Sequence, residues 1–413
     1  MPKQDKNVRR AAVSALRAWS KGHEYAESLI EKHAVKNELS TQDRALLQAI
    51  IMAVLRHRNL IDLWIGKIRS GKLDHETRDV LRVGLAQLMI LRIPDHAAVY
   101  ETVNCGRTPA RGLINAVLRK TLLLRKRFLE DLENDPLPIQ YSHPEWLWKR
   151  WRKQFGLNNT VKLAEWNNQP ADNFVRVNPL KAGRLDLEAL GLEETNDSRF
   201  YKVTETLPME LIKNGELYVQ DLATAHAVDM FAAQSGETIL DACAAPGGKA
   251  GFIASQMEND GTIVCTDSNE KRLPRLSGNL HRLGVSIAEV KAHDWTRPAP
   301  AAWHGTFDAI LADVPCSNTG VIRRRVDVKW RLKHDQFAQL EDLQLRIIEN
   351  LIPCLKPGGR LVYSTCSIDP EENEGVVSKI LGKHHQLSLR EQKAITPFEH
   401  NTDGAFAAVM VKA

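Results

Sequence analysis

The sequence predicts an α/β protein with a doubly wound parallel sheet in its C-terminal half, an all-α domain in front of that sheet and a small α+β insert between the two. Strand-like and helical segments alternate from about residue 215, which is typical of a parallel sheet covered by helices. Residues 7–133 instead show helical spacing with hardly any strand-like alternation. At 413 residues, the chain is also too long for one ordinary hydrophobic core.

The N-terminal helices are predicted from capping residues and from apolar spacing. Ser40, with Asp43 three residues later, forms a capping box at the start of one helix. Asp74 can cap the next helix, which Pro94 ends because proline cannot continue a helix. Two further helical segments are predicted, at 96–104 and 110–133. We therefore expect a helical domain over residues 1–138.

The C-terminal domain, 214–413, is predicted from five apolar strands and the helices between them. The strands are expected at 238–241, 262–266, 287–290, 308–312 and 360–364. The helices are expected at 248–257, 269–283 and 335–355. Residues 139–213 contain only short strand-like pieces and are expected to form the α+β insert. Ligands bind at the carboxyl ends of the strands in such sheets, so polar residues just past these ends are candidates for a site.

The composition is that of a soluble globular protein, with 43% hydrophobic and 26% charged residues and no run of about 18 apolar residues. The first six residues lack the apolar core of a signal peptide. The six cysteines have no CxxC spacing, so we expect reduced thiols rather than disulfides or zinc ligands. The expectation is a cytoplasmic protein with no membrane segment and no metal site.

Charge is distributed unevenly along the chain. The net charge is +5, but residues 1–150 carry 26 Lys and Arg against 17 Asp and Glu, whereas the remaining residues carry 30 against 34. A basic N-terminal part joined to a near-neutral C-terminal part favours a nucleic-acid-binding module attached to a catalytic module. A modest excess of charge also serves solubility, which is the alternative interpretation.

A turn of small residues after the first predicted strand is the candidate cofactor site. Ile239 and Leu240 precede Asp241, and helical spacing resumes at Ala250. A strand, a glycine turn and a helix N-terminus form a nucleotide-type site because backbone N–H groups and the helix dipole face the ligand. A tight structural turn is the alternative. The candidate binding residues are Cys243, Ala244, Ala245, Pro246, Gly247, Gly248 and Lys249.

Two aspartates follow later strands of the predicted sheet. Asp267 comes directly after strand 262–266, where a carboxylate can accept hydrogen bonds from both ribose hydroxyls of an adenosine-containing ligand. A helix N-cap is the alternative role for this residue. Asp294 follows the third strand and can accept a hydrogen bond from an adenine amino group, although an aspartate in a loop is common.

Two cysteines, Cys316 and Cys366, follow strands that can be neighbours in the sheet, and small and polar residues surround both. A thiol beside an adenosine-type cofactor suggests attack on a pyrimidine, because thiolate addition at C6 of cytosine makes C5 nucleophilic. Asp313 is placed to hold the amino edge of the base or to assist proton movement. An inert buried thiol is the alternative for either cysteine. Their spacing does not decide which cysteine attacks.

A basic segment follows Cys316 in the sequence. Its position next to the proposed chemistry favours a clamp for RNA phosphates over a solvated basic loop. The residues concerned are Arg323, Arg324, Arg325, Lys329 and Arg331.

Three stretches resemble motifs of the Sun/Fmu family of S-adenosylmethionine-dependent RNA cytosine-5 methyltransferases. They are Asp241 to Lys249, Asp313 to Gly320 and Tyr363 to Glu374. The helical front is similar to the NusB-like RNA-binding domain of bacterial members that act on 16S rRNA. The resemblance implies a Rossmann-like class I methyltransferase domain behind an all-α NusB-like domain.

The resemblance also implies how S-adenosylmethionine is held. The turn from Cys243 to Lys249 corresponds to the residues at the methionine end of the cofactor. Asp267 corresponds to the ribose ligand and Asp294 to the adenine ligand. Asp313 corresponds to a residue beside the methyl donor and the target base.

The family assigns attack on C6 to the later cysteine, here Cys366, and product release to the earlier one, here Cys316. DNA cytosine methyltransferases instead use a Pro-Cys cysteine that resembles Cys316. Asn318 stands where the family usually has Gly, and Arg325-Val326 stands where many members have His-Pro. Neither departure is expected to touch a catalytic atom.

The implied activity is methylation of C5 of a cytosine in structured RNA, with 16S rRNA as the expected substrate, by a monomeric enzyme that forms a covalent adduct. A tRNA or DNA methyltransferase shares this chemistry and differs in substrate. A non-catalytic RNA-binding or assembly factor is the alternative from another functional class.

Overall fold

The computed structural model describes residues 7–183 and 185–413, which divide into two units. The first unit comprises the chain up to Pro170 together with Ile322–Leu332, and the second comprises Ala171–Val321 and Lys333–Ala413. The first six residues, which underlie the expectation about a signal peptide, lie outside the described residues. Within the described ranges, no helix is both long enough and apolar enough to cross a membrane.

The first unit is a helical domain. Its N-terminal helices are α1 (Val8–Trp19), α2 (Ala26–Lys36), α3 (Thr41–Arg56), α4 (Arg58–Ile68), α5 (His75–Leu85), α6 (Asp95–Cys105), α7 (Arg111–Glu130), α8 (Leu137–Gln140) and α9 (Glu145–Asn168). Both predicted caps are confirmed, because the Asp43 N–H donates to Ser40 Oγ and the Thr77 N–H donates to Asp74. Before Pro94, the helix predicted from Asp74 becomes a π-helical stretch, Ala86–Ile90.

The second unit begins with a four-stranded antiparallel sheet. Its strands are β1 (Asn173–Val177), β2 (Leu192–Glu194), β3 (Phe200–Val203) and β4 (Leu217–Val219), in the order β2-β3-β1-β4, with helix α10 (Met209–Asn214) before β4. This sheet is the predicted α+β insert. Within the interval 139–213, helix α9 groups with the first unit, whereas β4 extends the sheet to residue 219.

A seven-stranded sheet forms the rest of the second unit. Its strands are β5 (Thr238–Asp241), β6 (Thr262–Asp267), β7 (Ala288–Ala292), β8 (Phe307–Asp313), β9 (Leu355–Thr365), β10 (Leu387–Ile395) and β11 (Ala405–Lys412). The order is β10-β11-β9-β8-β5-β6-β7. Strands β5 to β9 pair in parallel, and β11 pairs antiparallel with both β9 and β10. All five predicted strands are therefore confirmed.

Helices accompany this sheet as the alternating pattern predicted. They are α11 (Ala223–Phe231), α12 (Gly248–Gln256), α13 (Leu273–Arg282), α15 (Gln336–Leu351), α16 (Glu374–Lys383) and α17 (Pro397–His400), while α14 (Val328–Arg331) lies in the first unit. From β5 the chain builds outward to β6 and β7, and then returns to the other side of β5 as β8 and β9. This reversal places a ligand crevice at the carboxyl ends of β5 and β8.

The segment Ile322–Leu332 is held in the first unit by the carboxylate of Asp327, which is 3% exposed. Its Oδ2 accepts hydrogen bonds from the Trp19 indole N–H at 3.2 Å, the Ala26 N–H at 2.9 Å and Arg331 Nε at 3.2 Å. A buried carboxylate is stable only with such partners, so these contacts fix the segment to α1 and α2.

We expect Asp327→Ala to lower the free energy of unfolding by about 3 kcal/mol, because the Trp19 N–H and the Arg331 guanidinium lose a buried charged acceptor. Urea denaturation followed by circular dichroism at 222 nm measures this change. The control is Asp342→Ala, whose side chain is 71% exposed and pairs with Arg346 on the surface. The control substitution should lower the free energy of unfolding by less than about 0.5 kcal/mol. Equal losses in both variants would contradict the role of Asp327.

Candidate active site

Strands β8 and β9 bring the two cysteine loops together. They pair in parallel with Asp313 opposite Ser364, and the Val314 N–H donates to the Ser364 carbonyl oxygen at 3.1 Å. Just past these strand ends, Cys316 Sγ lies 3.2 Å from Cys366 Sγ. The two thiols therefore share one crevice, as their positions at neighbouring strand ends predicted.

Backbone contacts fix the distance between the two loops. The Gly320 N–H donates to the Cys366 carbonyl oxygen at 2.9 Å, and the Gly404 N–H donates to the Gly320 carbonyl oxygen at 2.8 Å. A Cβ atom at position 320 would lie 2.6 Å from the Gly404 oxygen and 2.8 Å from the Cys366 oxygen. Only glycine allows this close approach of three backbone segments.

The buried carboxyl group of Glu372 accepts hydrogen bonds from both cysteine loops. Its Oε1 accepts from the Ser317 N–H at 2.8 Å and from Gln344 Nε2 at 3.0 Å, and its Oε2 accepts from Ser367 Oγ at 2.7 Å. Burial raises the pKa of Glu372, and the hydrogen bonds from Ser317 and Ser367 oppose this rise. Sequence reasoning did not identify Glu372, because a glutamate in a polar motif gives no sign of being buried.

The surroundings of the Cys316 thiol disfavour its ionisation. The hydrogen bond to Cys366 and burial together raise the pKa of Cys316 well above its ordinary value, and the charges of Cys366 and Glu372 raise it further. Cys316 therefore keeps its proton near neutral pH.

Asn318 contacts one of these thiols directly. The Cys366 thiol donates to Asn318 Oδ1 at 3.2 Å, while Asn318 Nδ2 donates to the Cys316 carbonyl oxygen at 2.7 Å. The expectation that Asn318 touches no proposed catalytic atom is thus wrong. Sequence spacing missed the contact because it depends on the turn of the backbone after Cys316.

Lys249 and Asp313 form an ion pair across the crevice. Lys249 Nζ lies 2.6 Å from Asp313 Oδ2, and Ser364 Oγ donates to Asp313 Oδ1 at 3.1 Å. Burial lowers the pKa of Lys249, but the charge and hydrogen bond of Asp313 outweigh burial and raise it overall. The carboxylate of Asp313 is therefore oriented by one partner from the cofactor loop and one from β9.

The predicted cofactor loop connects β5 to the N-terminus of α12. Gly247 caps this helix with φ at +102°, a conformation that requires glycine, and it offers no side chain to the first helical N–H groups. The Ala244 N–H donates to the Thr266 carbonyl oxygen at 2.8 Å, which ties the turn to β6. The helix terminus thus faces the crevice with backbone donors, as an anionic ligand group requires.

Asp267 is the last residue of β6 and Asp294 lies just past the carboxyl end of β7, and both have local partners. Asp267 accepts from the Asn269 N–H at 2.9 Å and lies 3.2 Å from Arg272 Nη1. Asp294 accepts from the N–H and the hydroxyl of Thr296, and these hydrogen bonds lower its pKa. Their contacts to ribose and adenine stay predictions.

Asp241, at the end of β5, is a buried acid that sequence reasoning did not select. It is 1% exposed, and neither carboxylate oxygen completes a hydrogen bond within the described part of the chain. Burial, followed by the charge of Asp313, raises its pKa to about 7, while Lys249 and the backbone of Cys243 oppose the rise. An acceptor without a partner at this strand end fits a ligand that carries a donor or a positive charge.

The basic segment after Cys316 differs from its prediction. Lys329 is completely buried, donates to the Arg56 carbonyl oxygen at 2.9 Å and has a pKa well below its ordinary value because of burial. Arg323 is also buried, with its guanidinium 3.9 Å from the Trp166 ring. These contacts correct the expected phosphate clamp for both residues, since neither side chain reaches the surface.

Arg331 is partly buried and hydrogen-bonded to Asp327, so much of its binding capacity is used inside the first unit. Arg324 is partly exposed and Arg325 is exposed. RNA contact by these three arginines stays a prediction.

Asp241 gives a pH-dependent prediction. A carboxyl group whose pKa rises from 3.8 to about 7 on folding contributes stability that is complete below pH 3.8 and is lost as the pH rises through 7. Asp241→Asn removes this pH-dependent loss of stability, because the asparagine side chain does not ionise. The variant should therefore exceed the wild type in unfolding free energy at pH 8 by several kcal/mol, on the order of 1.4 kcal/mol per unit of pKa shift, and much less at pH 4.

Urea unfolding of the cofactor-free protein at pH 4, 6 and 8 measures this difference. Asp342→Asn, an exposed substitution, provides the control and should show no such trend. A stability gap between wild type and Asp241→Asn that stays constant over this range would contradict an unpaired buried carboxyl group.

Comparison with known proteins places these features in a family. Residues 228–411 match the family model of the 16S rRNA methyltransferase RsmB/F, residues 6–122 match the NusB family, and residues 143–195 match the ferredoxin-like domain of RsmF/B-like methyltransferases. These three matches follow the order of the helical domain, the small sheet and the large sheet.

Full-length relatives share this organisation. The chain is 33% identical to ribosomal RNA small subunit methyltransferase B of Shigella flexneri, over 99% of this chain and 100% of that protein. It is 31% identical to the probable methyltransferase B of Bacillus subtilis, over 98% and 99%. The crystal structure of the protein PH0851 is similar in fold, with a TM-score of 0.80, 25% identity and coverage of 99% of both chains.

Proposed function

The chain belongs to the 16S rRNA methyltransferase RsmB/F family, and from that premise we propose that it methylates C5 of a cytosine in 16S rRNA through a covalent adduct with Cys366. As a member, it is an S-adenosylmethionine-dependent RNA methyltransferase. The observation that carries the covalent route is the pair of thiols, 3.2 Å apart, beside the ion pair of Lys249 and Asp313.

The residues around β5 and α12 fit the cofactor. The turn from Cys243 to Lys249 would hold its methionine end, with the free acceptor of Asp241 at the base of the turn. Asp267 would hold the ribose and Asp294 the adenine. When bound, S-adenosylmethionine supplies an electrophilic methyl group.

Cys366 begins the reaction as a thiolate that bonds to C6 of the cytosine, and this addition makes C5 nucleophilic toward the methyl group. Loss of the C5 proton and cleavage of the bond between sulfur and C6 then restore the ring double bond and the thiolate. Asp313 would contact the amino edge of the base, and its orientation by Lys249 and Ser364 supports this role.

Cys316 is assigned to product release. The hydrogen bond to Cys366 is the largest cause of its high pKa, and the charge of Cys366 adds to it. Once the sulfur of Cys366 is bonded to C6, it carries no charge, so the pKa of Cys316 falls. A Cys316 thiolate can then take the C5 proton at the stage when release requires it.

RNA binding is assigned to the basic helical domain. Helix α7 carries exposed cations, and Arg324, Arg325 and Arg331 add positive charge in the later segment. The exposed cations of α7 are Arg111, Arg119, Lys120, Lys126 and Arg127. Contacts with phosphates release counterions, so affinity for RNA should fall steeply with salt.

Two further expectations concern assembly and location. We infer that the enzyme acts as a monomer. The described cysteines are free thiols, which supports a reducing, cytoplasmic location.

Substitution of each cysteine separates the two roles. Cys366→Ala should reduce methyl transfer by about a thousandfold or more, because it removes the proposed nucleophile, while cofactor affinity stays unchanged. Cys316→Ala should instead accumulate a protein–RNA adduct, because release is blocked. Transfer of labelled methyl groups and denaturing gel electrophoresis measure these outcomes. Normal transfer by Cys366→Ala would overturn the assignment.

The substrate is tested in cells. Bisulfite sequencing of total RNA with and without the protein should show one cytosine of 16S rRNA that loses its methyl mark. Loss of a methyl mark from tRNA instead would contradict 16S rRNA as the substrate and identify tRNA as the substrate. Tight RNA binding with no lost mark in any RNA would favour a non-catalytic assembly factor.

A further inference from the structure

Asn318 occupies a backbone position that determines where its amide points. Its φ is +61°, in the left-handed region that asparagine and glycine adopt most readily. The side chain then folds back so that Nδ2 donates to the carbonyl oxygen of Cys316, two residues earlier, at 2.7 Å. Because the amide nitrogen makes this hydrogen bond, the amide oxygen Oδ1 points away from the carbonyl oxygen of Cys316.

The amide oxygen is directed at the proposed nucleophile. Asn318 Oδ1 lies 3.2 Å from Cys366 Sγ and accepts the thiol proton. A neutral oxygen acceptor stabilises a thiol and has no proton to donate to a thiolate, so this contact favours the protonated form of Cys366. It also selects one direction for the sulfur–hydrogen bond.

Other ionisable groups face Cys366 from the elements around it. Lys249, from α12, interacts with it electrostatically and favours the thiolate, but Lys249 is paired with Asp313 of β8 at 2.6 Å. Cys316 lies 3.2 Å away as a thiol, and the charge of Glu372 acts on Cys316. Asp313 partly neutralises the ammonium charge of Lys249. The hydrogen bond to Asn318 can therefore affect whether Cys366 keeps its proton.

We propose that Asn318 is a positioning residue for the nucleophile, which holds the thiol of Cys366 protonated and oriented in the enzyme without RNA. The inference rests on the proposed role of Cys366 and adds a control of its reactivity. It follows that the thiolate forms readily only when the hydrogen bond to Oδ1 is broken. The alternative is that asparagine serves only to form the left-handed turn.

Two substitutions at this position distinguish the alternatives. Asn318→Gly keeps the left-handed turn, since glycine adopts positive φ at little cost, and removes the amide. Asn318→Asp keeps an oxygen acceptor and adds a negative charge beside the sulfur. The matched control is Asn401→Gly, which changes an exposed left-handed asparagine with φ at +51°.

The measurement is the rate of alkylation of Cys366 by iodoacetamide between pH 6 and 10 in the full-length protein, without RNA or S-adenosylmethionine. Peptide mass spectrometry separates modification of Cys366 from that of Cys316. The pH midpoint reports the thiol proton, whereas a change in access alters only the plateau rate.

Asn318→Gly should lower the midpoint, so that alkylation at pH 7 is about three- to tenfold faster, the effect of losing one hydrogen bond to the neutral thiol. Asn318→Asp should raise the midpoint and slow alkylation at pH 7 by about tenfold, and Asn401→Gly should match the wild type. Midpoints that stay at the wild-type value, or that move in the same direction in both Asn318 variants, would overturn the inference. Since neither RNA nor cofactor takes part, this failure is distinct from a failure of methyl transfer.

Discussion

The parallel pairing of β8 with β9 is the constraint on which the site depends. Its register sets Asp313 opposite Ser364, so β8 and β9 end at the same level of the sheet. A cysteine loop follows each of these two strands. The thiols meet because both loops have short, fixed paths from paired strand ends. Gly320 and Glu372 maintain this arrangement, one by permitting backbone contact and the other by accepting hydrogen bonds from both loops. A shift of one residue in the strand register would separate the two sulfur atoms and turn the aspartate away.

The sequence allowed the central sheet to be predicted well, because four of the five predicted strands contain apolar runs that end in polar or small residues, whereas β7 alternates apolar and charged residues and is mostly exposed. Strands β10 and β11 were not predicted. They form an antiparallel hairpin after the last motif, and β10 is largely exposed, so its residues lack the apolar run that marked most of the predicted strands. The positions of Asp267, Asp294, Asp313 and both cysteines at strand ends followed from the strands themselves.

The basic segment shows what sequence could not provide. Arg323, Lys329 and Arg331 suggested a phosphate clamp because the charges of a segment can be counted, whereas their partners are remote in sequence. Arg56 and Trp19 are more than 250 residues away along the chain, yet they contact this segment within the first unit. Asp241 and Glu372 were missed for the same reason, since burial of a carboxyl group depends on the packing of several elements and leaves no local pattern.

The two sulfur atoms also limit which chemistry the site can perform. Two thiolates 3.2 Å apart would repel strongly, so ionisation of one thiol raises the pKa of the other and the pair carries at most one negative charge. Burial and the nearby charge of Glu372 disfavour that charge on Cys316, whereas Lys249 favours it on Cys366. This asymmetry agrees with the proposed roles, in which Cys366 attacks the pyrimidine and Cys316 acts later in product release.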